Sequence, residues 1–256
     1  MKILVAVLLC LSIASPLLAQ DEKQALEELI KTSMTKEEEE DPSMRMEHVA
    51  ETAKTLGFQH GFRFQYEKYL SVCRKHTEAL NAVFDFQKML INGRVLPPVV
   101  RWSGRAVQIQ GTDAVSEIEA QYRIMQPARI VMQAPTWETY LMADTTVLKP
   151  TKMSKPKSQA EKAVWKKMVT LGWKQGVEHA KNHFDLSFDS MLADYRGIIR
   201  FSMLAKKGLV SVPVLSTGNV GVQIGENVLN MGQTVFRITV PAAFQLVEQG
   251  HVSVSR

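Results

Sequence analysis

Residues 161–204, EKAVWKKMVTLGWKQGVEHAKNHFDLSFDSMLADYRGIIRFSML, run for forty-four positions without a proline, and they limit the fold more than any other stretch. Good helix formers dominate, and apolar residues such as Trp165, Leu171, Trp173 and Phe184 recur at helical spacing. The pattern predicts one long helix, or two helices with a bend near residues 182–187. Gly172 and Gly176 stand one turn apart on it. Each costs about 1 kcal/mol of helix stability relative to Ala, so the pair marks a close approach of another backbone.

The chain contains an echo of that site. Residues 55–61, TLGFQHG, match residues 170–176, TLGWKQG, with the same leucine, an aromatic, and glycines four apart. Two helices crossing at their glycine faces, with Phe58 and Trp173 packed beside the crossing, account for both copies. Duplication is the other reading, and the flanks, which do not match, favour convergence on close packing. Gly57, Gly61, Gly172 and Gly176 are therefore structural candidates.

The start of the chain sets the compartment. Lys2 precedes the apolar run ILVAVLLCL, and small residues follow at Ala14 and Ala19, the layout of a secretory signal peptide over residues 1–19. Cleavage is expected after Ala19, with Ala14 as the alternative. The run is too short to span a bilayer as a stable helix. Lipoprotein processing needs a small residue immediately before the cysteine, and Leu9 stands before Cys10, so Cys10 reads as filler of the apolar run. Once the signal is removed Cys73 is the remaining thiol, and no intrachain disulfide can form. Residues 20–43 carry QALEELIKTS and then KEEEED, a flexible acidic leader rather than core.

Beyond the leader, residues 44–90 form a first helical block, dense in apolar positions, which Asn92 and Gly93 terminate. Pro97 and Pro98 then change the period. Residues 104–110 alternate as a strand, residues 111–113 make a turn, and residues 114–125 and 128–132 read as two further strands. The run AVSEIEAQYRI also suits a helix, because Glu117, Ala120 and Gln121 favour one. Residues 135–141 begin a short helix, and a lysine-rich loop over residues 145–158 leads to a cap formed by Ser158 with Glu161. Gly208 closes the long helix. Short strands follow, punctuated by Gly218, Gly221, Gly225 and Gly232. Helices, sheet, helices and sheet make an α+β fold, with long helices packed on small antiparallel sheets in one main domain over residues 44–250 and a tail at 251–256.

Composition excludes several classes. With 45% hydrophobic and 22% charged residues over 256 positions, the chain buries a sizeable core and is neither disordered, collagenous nor a multi-span membrane protein. The net charge of +5 is compatible with envelope polymers or phosphate headgroups, although solubility alone explains it.

Catalytic constellations are weak. His179 and His183 share a helix face and could hold a metal with Asp185 or Glu178, but Ala180 stands where the metalloprotease pattern needs Glu, and a solvated polar face is the plainer account. Gly218, Gly221 and Gly225 lack the order of a phosphate loop. Cys73 sits in a helical run with no helix N-terminus to activate it, and no GxSxG elbow occurs. Asp185, Asp189 and Asp194 offer carboxylates for a cell-wall hydrolase, but read better as caps and surface charges. Trp102, Trp137, Trp165 and Trp173 serve as core or interface anchors. Neither a metal nor a cofactor is expected, and the protein reads as non-enzymatic.

Several ordered blocks together resemble a known family. Pro97-Pro98-Val99, Thr136-Trp137-Glu138-Thr139-Tyr140-Leu141, the run from Glu161 and Trp165 through Gly172-Trp173 and Gly176 to Ala180, and Asp194-Tyr195 with Gly197 look like the DotC family, called TraI in IncI-type conjugation systems. The resemblance covers residues 45–247. It implies a structural component of the outer-membrane core complex of a type IVB secretion or conjugation machine. Its partners would be DotD-like and DotH-like proteins in a multimeric ring, with the chain helping the DotH-like protein reach the outer membrane. No direct contact with nucleic acid is implied. Trp137, Tyr140, Trp165, Asp194 and Tyr195 join the four glycines and Trp173 as structural or interface candidates. Family members are typically lipoproteins, whereas the residue before Cys10 departs from that pattern, so attachment through protein partners is expected. A periplasmic cell-wall hydrolase or peptidoglycan-binding protein is the alternative.

Overall fold

The computed structural model describes residues 16–32, 42–110, 114–147, 149, 155–225 and 227–245. Cys10, the acidic run 37–41, the turn 111–113 and the tail 251–256 lie outside them. Five α-helices and eight strands appear among the described residues: α1 (Pro16–Thr32), α2 (Pro42–Lys75), α3 (Thr77–Val83), β1 (Val95–Leu96), β2 (Val99–Trp102), β3 (Ala106–Gln110), β4 (Ala114–Ile118), β5 (Tyr122–Gln126), β6 (Arg129–Ile130), α4 (Trp137–Leu141), α5 (Gln159–Lys206), β7 (Val214–Ile224) and β8 (Leu229–Val240). The fold is α+β, as expected. The chain divides into two compact units, one of residues 1–83 and 138–188, the other of residues 84–137 and 189–256. Among the described residues no helix is long and apolar enough to cross a membrane.

The first unit is built on α2 and the amino-terminal part of α5. Gly57 faces the backbone of Val169 and Gly61 that of Trp173, while Gly172 faces Lys54 and Gly176 faces Phe58. Contacts advance together along both helices, so the two run parallel, and each glycine meets the carbonyl three residues before the matching glycine of the other helix. A Cβ at any of the four would lie closer than 3.0 Å to backbone atoms. The repeated TLG-aromatic-x-x-G thus reflects one steric demand made twice by a locally symmetric crossing, the GxxxG logic of close helix pairs. Val49, Ala53, Leu56, Trp165 and Val169 fill the core beside it. Leu26, Leu29 and Ile30 of α1 pack on that cluster, so part of the leader is helix with an apolar face against the core.

The start of α5 is fixed by a reciprocal cap. Glu161 N–H donates to Ser158 Oγ at 3.1 Å, and Glu161 Oε2 accepts from Ser158 N–H at 3.4 Å and from Lys157 N–H. Arg45 of α2 donates its Nε to Glu161 Oε1 at 3.0 Å and its Nη2 to the Lys155 carbonyl at 3.1 Å. At the other end Gly208, at φ +72°, donates to Ala205 O at 2.9 Å while Leu209 N–H donates to Leu204 O at 3.0 Å, the Schellman closure that a left-handed glycine permits. Between these ends α5 is one continuous helix, with no break over residues 182–187 where two helices were considered. Phe184, which packs on Tyr66 and Tyr69, falls in step with the residues before and after it.

The second unit carries two antiparallel ribbons. Short strands β1, β2 and β3 pair in turn with β6, β5 and β4, with one register shift between Val99 and Val100. Hydrogen bonds from Ser103 to Gln121 and from Gln121 to Gly104 carry the pairing across the gap. Residues 114–125, expected as one strand, are therefore two, broken over residues 119–121. Asn92 and Gly93, both at positive φ, form a tight turn that closes Arg94 N–H onto Ile91 O at 3.2 Å, so they open a hairpin instead of ending a helix. The second ribbon joins β7 to β8, and the expected short pieces fuse into strands of 11 and 12 residues. Gly218 and Gly221 lie inside β7, Gly221 at φ +72° where the register shifts, so they are bulge and strand positions where turns were expected. Val100, Phe201, Leu204 and Val210 form the core of this unit.

Candidate functional surfaces

The structure separates the sequence candidates into two groups. Trp137, Trp165 and Trp173 are buried at 2%, 0% and 3% exposure, so these three are core anchors. Tyr140 is half-buried on α4, next to Leu141, whose carbonyl accepts a 2.9 Å hydrogen bond from Tyr66 Oη. Asp194 is buried and accepts from Gln126 Nε2 at 3.1 and 3.3 Å, tying α5 to β5. Tyr195 sits edge-on to Phe84 and Phe86, both at 5.3 Å. Burial first, and then the Asp85 carboxylate, push its phenol above the ordinary value against the opposing effect of Lys88. Gly197 lets β2 approach, since a Cβ there would press on the Val99 side chain, and Arg200 Nη1 donates to the Val100 carbonyl at 2.7 Å.

The chemically suggestive residues are placed differently. His179 and His183 lie against the rings of Phe62 at 5.6 and 5.9 Å, and Phe58 and Tyr66 complete the aromatic set. His183 Nδ1 is buried with no hydrogen-bond partner among the described residues. Asp185, Asp189 and Glu178 are exposed, and among the described residues no three His, Cys, Asp or Glu side chains gather in a way that would hold a metal. Cys73 is buried on α2, and burial pushes its thiol up to about 11, which keeps it protonated and unreactive at neutral pH.

What the sequence reading did not single out is the exposed chemistry of the ribbons. At the end of the second ribbon Val222 pairs with Met231 and Ile224 with Leu229, so these four side chains share one face. They are 57%, 75%, 83% and 58% exposed, respectively, and Val228 beside them is 61% exposed. Alternation of Val222 and Ile224 with Gln223 was the available signal, and the glycines around it divided the strand into short pieces. Arg45 was also missed, because its partner Glu161 lies 116 residues away.

These features define an α+β protein with two helices locked backbone to backbone in one unit and with β-ribbons in the other that carry exposed apolar and cationic side chains. The family model described as type IV secretory system, conjugal DNA-protein transfer, matches residues 43–251. The chain belongs to this TraI family and is a component of a type IV secretory, conjugal transfer system. No curated protein matches it.

Proposed function

We propose that the chain is a non-enzymatic scaffold of the outer-membrane core complex of a type IVB conjugation or secretion apparatus. It is exported to the periplasm by the signal segment and supports localisation of a DotH-like partner beside a DotD-like one. Family membership supports a type IV secretory, conjugal transfer system. The observation that carries the scaffold role is the uncovered apolar face of Val222, Ile224, Leu229 and Met231 on a two-stranded ribbon. An isolated pair of strands is marginally stable in water, and contiguous exposed apolar surface marks an interaction site. A partner covering that face would stabilise both the ribbon and the assembly.

Deletion of the gene tests the proposal. Transfer frequency should fall to background, and the DotH-like protein should leave the outer-membrane fraction. Normal transfer with normal fractionation in the deletion strain refutes the reading.

A further inference from the structure

We propose that Asn92 is a site of spontaneous deamidation, and that the isoaspartate formed there unfastens the first ribbon from the second. The proposal goes beyond the scaffold reading and stands without it. Of the asparagines in the chain, Asn92 is the one followed by glycine. The reaction needs the backbone nitrogen of the next residue to reach the side-chain carbonyl, and glycine, with no Cβ, leaves that approach open. The turn adds what the dipeptide alone does not supply. Asn92 and Gly93 are both exposed, and a Cβ built on Gly93 would meet nothing within 4 Å. Among the described residues neither the Asn92 side chain nor the Gly93 N–H has a hydrogen-bond partner. Arg94 N–H and Val95 N–H close the turn instead, donating to the Ile91 carbonyl at 3.2 and 3.0 Å. An exposed amide that donates no hydrogen bond is the kind that gives up its proton readily.

Once hydroxide has taken that proton, Gly93 N attacks Asn92 Cγ. The new N–Cγ bond replaces the bond to the side-chain amide nitrogen, which leaves as ammonia after taking a proton from water, and a cyclic succinimide remains. Water then adds to either succinimide carbonyl and opens the ring to aspartate or isoaspartate, with no change of oxidation state. In isoaspartate the main chain runs through Cβ and is one atom longer. That atom enters a turn that sets a register, because the length of a hairpin loop fixes which residues face each other. Ile91 and Val95 bond to each other in both directions, at 2.9 and 3.0 Å, and Val131 N–H donates to Arg94 O at 2.9 Å. The Arg94 guanidinium lies 4.2 Å from the centre of the Phe236 ring on β8, where a cation over the ring face is attracted to it. A longer turn displaces Arg94, so the contact with β8 and the pairing beside it are lost together.

Incubation of the full chain in mildly alkaline buffer, followed by trypsin digestion and mass spectrometry, tests this. The peptide of residues 89–94, MLINGR, should gain one mass unit ahead of every peptide that holds another asparagine, and its fragments should place isoaspartate at position 92. Asn92→Gly removes the reacting amide and tolerates the φ of +50° found there, so its peptide should keep its mass. Hydrogen exchange at the Val95 and Val131 amides should quicken in the aged parent and stay constant in aged Asn92→Gly. Another asparagine reacting first, an unchanged 89–94 peptide, or aspartate without isoaspartate overturns the proposal. So does unaltered exchange in protein that has accumulated isoaspartate, because the turn would then accommodate the added atom.

Discussion

Gly176 shows how one hydrogen in place of a methyl group sets the packing of the first unit. A Cβ there would lie 2.7 Å from Phe62 N and 2.9 Å from Phe58 C, backbone atoms that cannot rotate away. Gly176→Leu should destabilise the protein by about 3 kcal/mol, because the helices must separate. A shift of the urea midpoint at unchanged slope measures this. Gly218→Ala is the control, since nothing lies within 4 Å of its added Cβ and φ is ordinary, and it should change stability by less than about 0.5 kcal/mol. The four crossing glycines were legible in the sequence because only glycine meets that demand, and it recurs in the same local wording. The role of Asp194 was not legible, because Gln126, its hydrogen-bond partner, comes from a strand 68 positions earlier.

Elements are held at their ends as much as along their faces. Glu161 caps α5 and pairs with Arg45 of α2, both side chains largely buried. Burial works to raise the Glu161 pKa, but the Lys157 N–H, the hydrogen bond and charge of Arg45, and the Ser158 N–H together hold it below the ordinary value of 4.5. A carboxylate with a depressed folded pKa contributes stability that is complete above the unfolded value and is lost as pH falls through the folded one. Stability of the parent should therefore decline as pH drops below 4.5, and Glu161→Gln should flatten that decline. Urea midpoints measured on both proteins from neutral pH downward check it. The Ser158 and Gly208 ends of α5 were readable because caps are local, whereas the strands merged into ribbons that the sequence had divided. Gly221 looks like a turn in one dimension and becomes a bulge once a partner strand supplies the register, while residues 119–121, which read as strand, become an interruption.

At the scale of the molecule, surfaces decide what assembles. Ile224→Asn with Met231→Asn replaces side chains that are 83% and 75% exposed, so thermal unfolding should be unchanged within about 0.5 kcal/mol. The same variant should lower conjugal transfer if the second ribbon is covered in the apparatus. Full transfer by a folded double variant would remove that face from the interface. The sequence by itself determined the long proline-free helix, its two ends, the glycine crossing and the α+β class, because helix periodicity, caps and backbone contact are written in neighbouring residues. Only the tertiary structure decided the unbroken course of α5, the pairing of Arg45 with Glu161, the length of the ribbons, and the alignment of Arg101 with Arg123 and of Ile224 with Leu229. Those depend on register and on contacts between residues distant in the chain, and in a strand a shift of one residue would turn every one of these side chains to the opposite face.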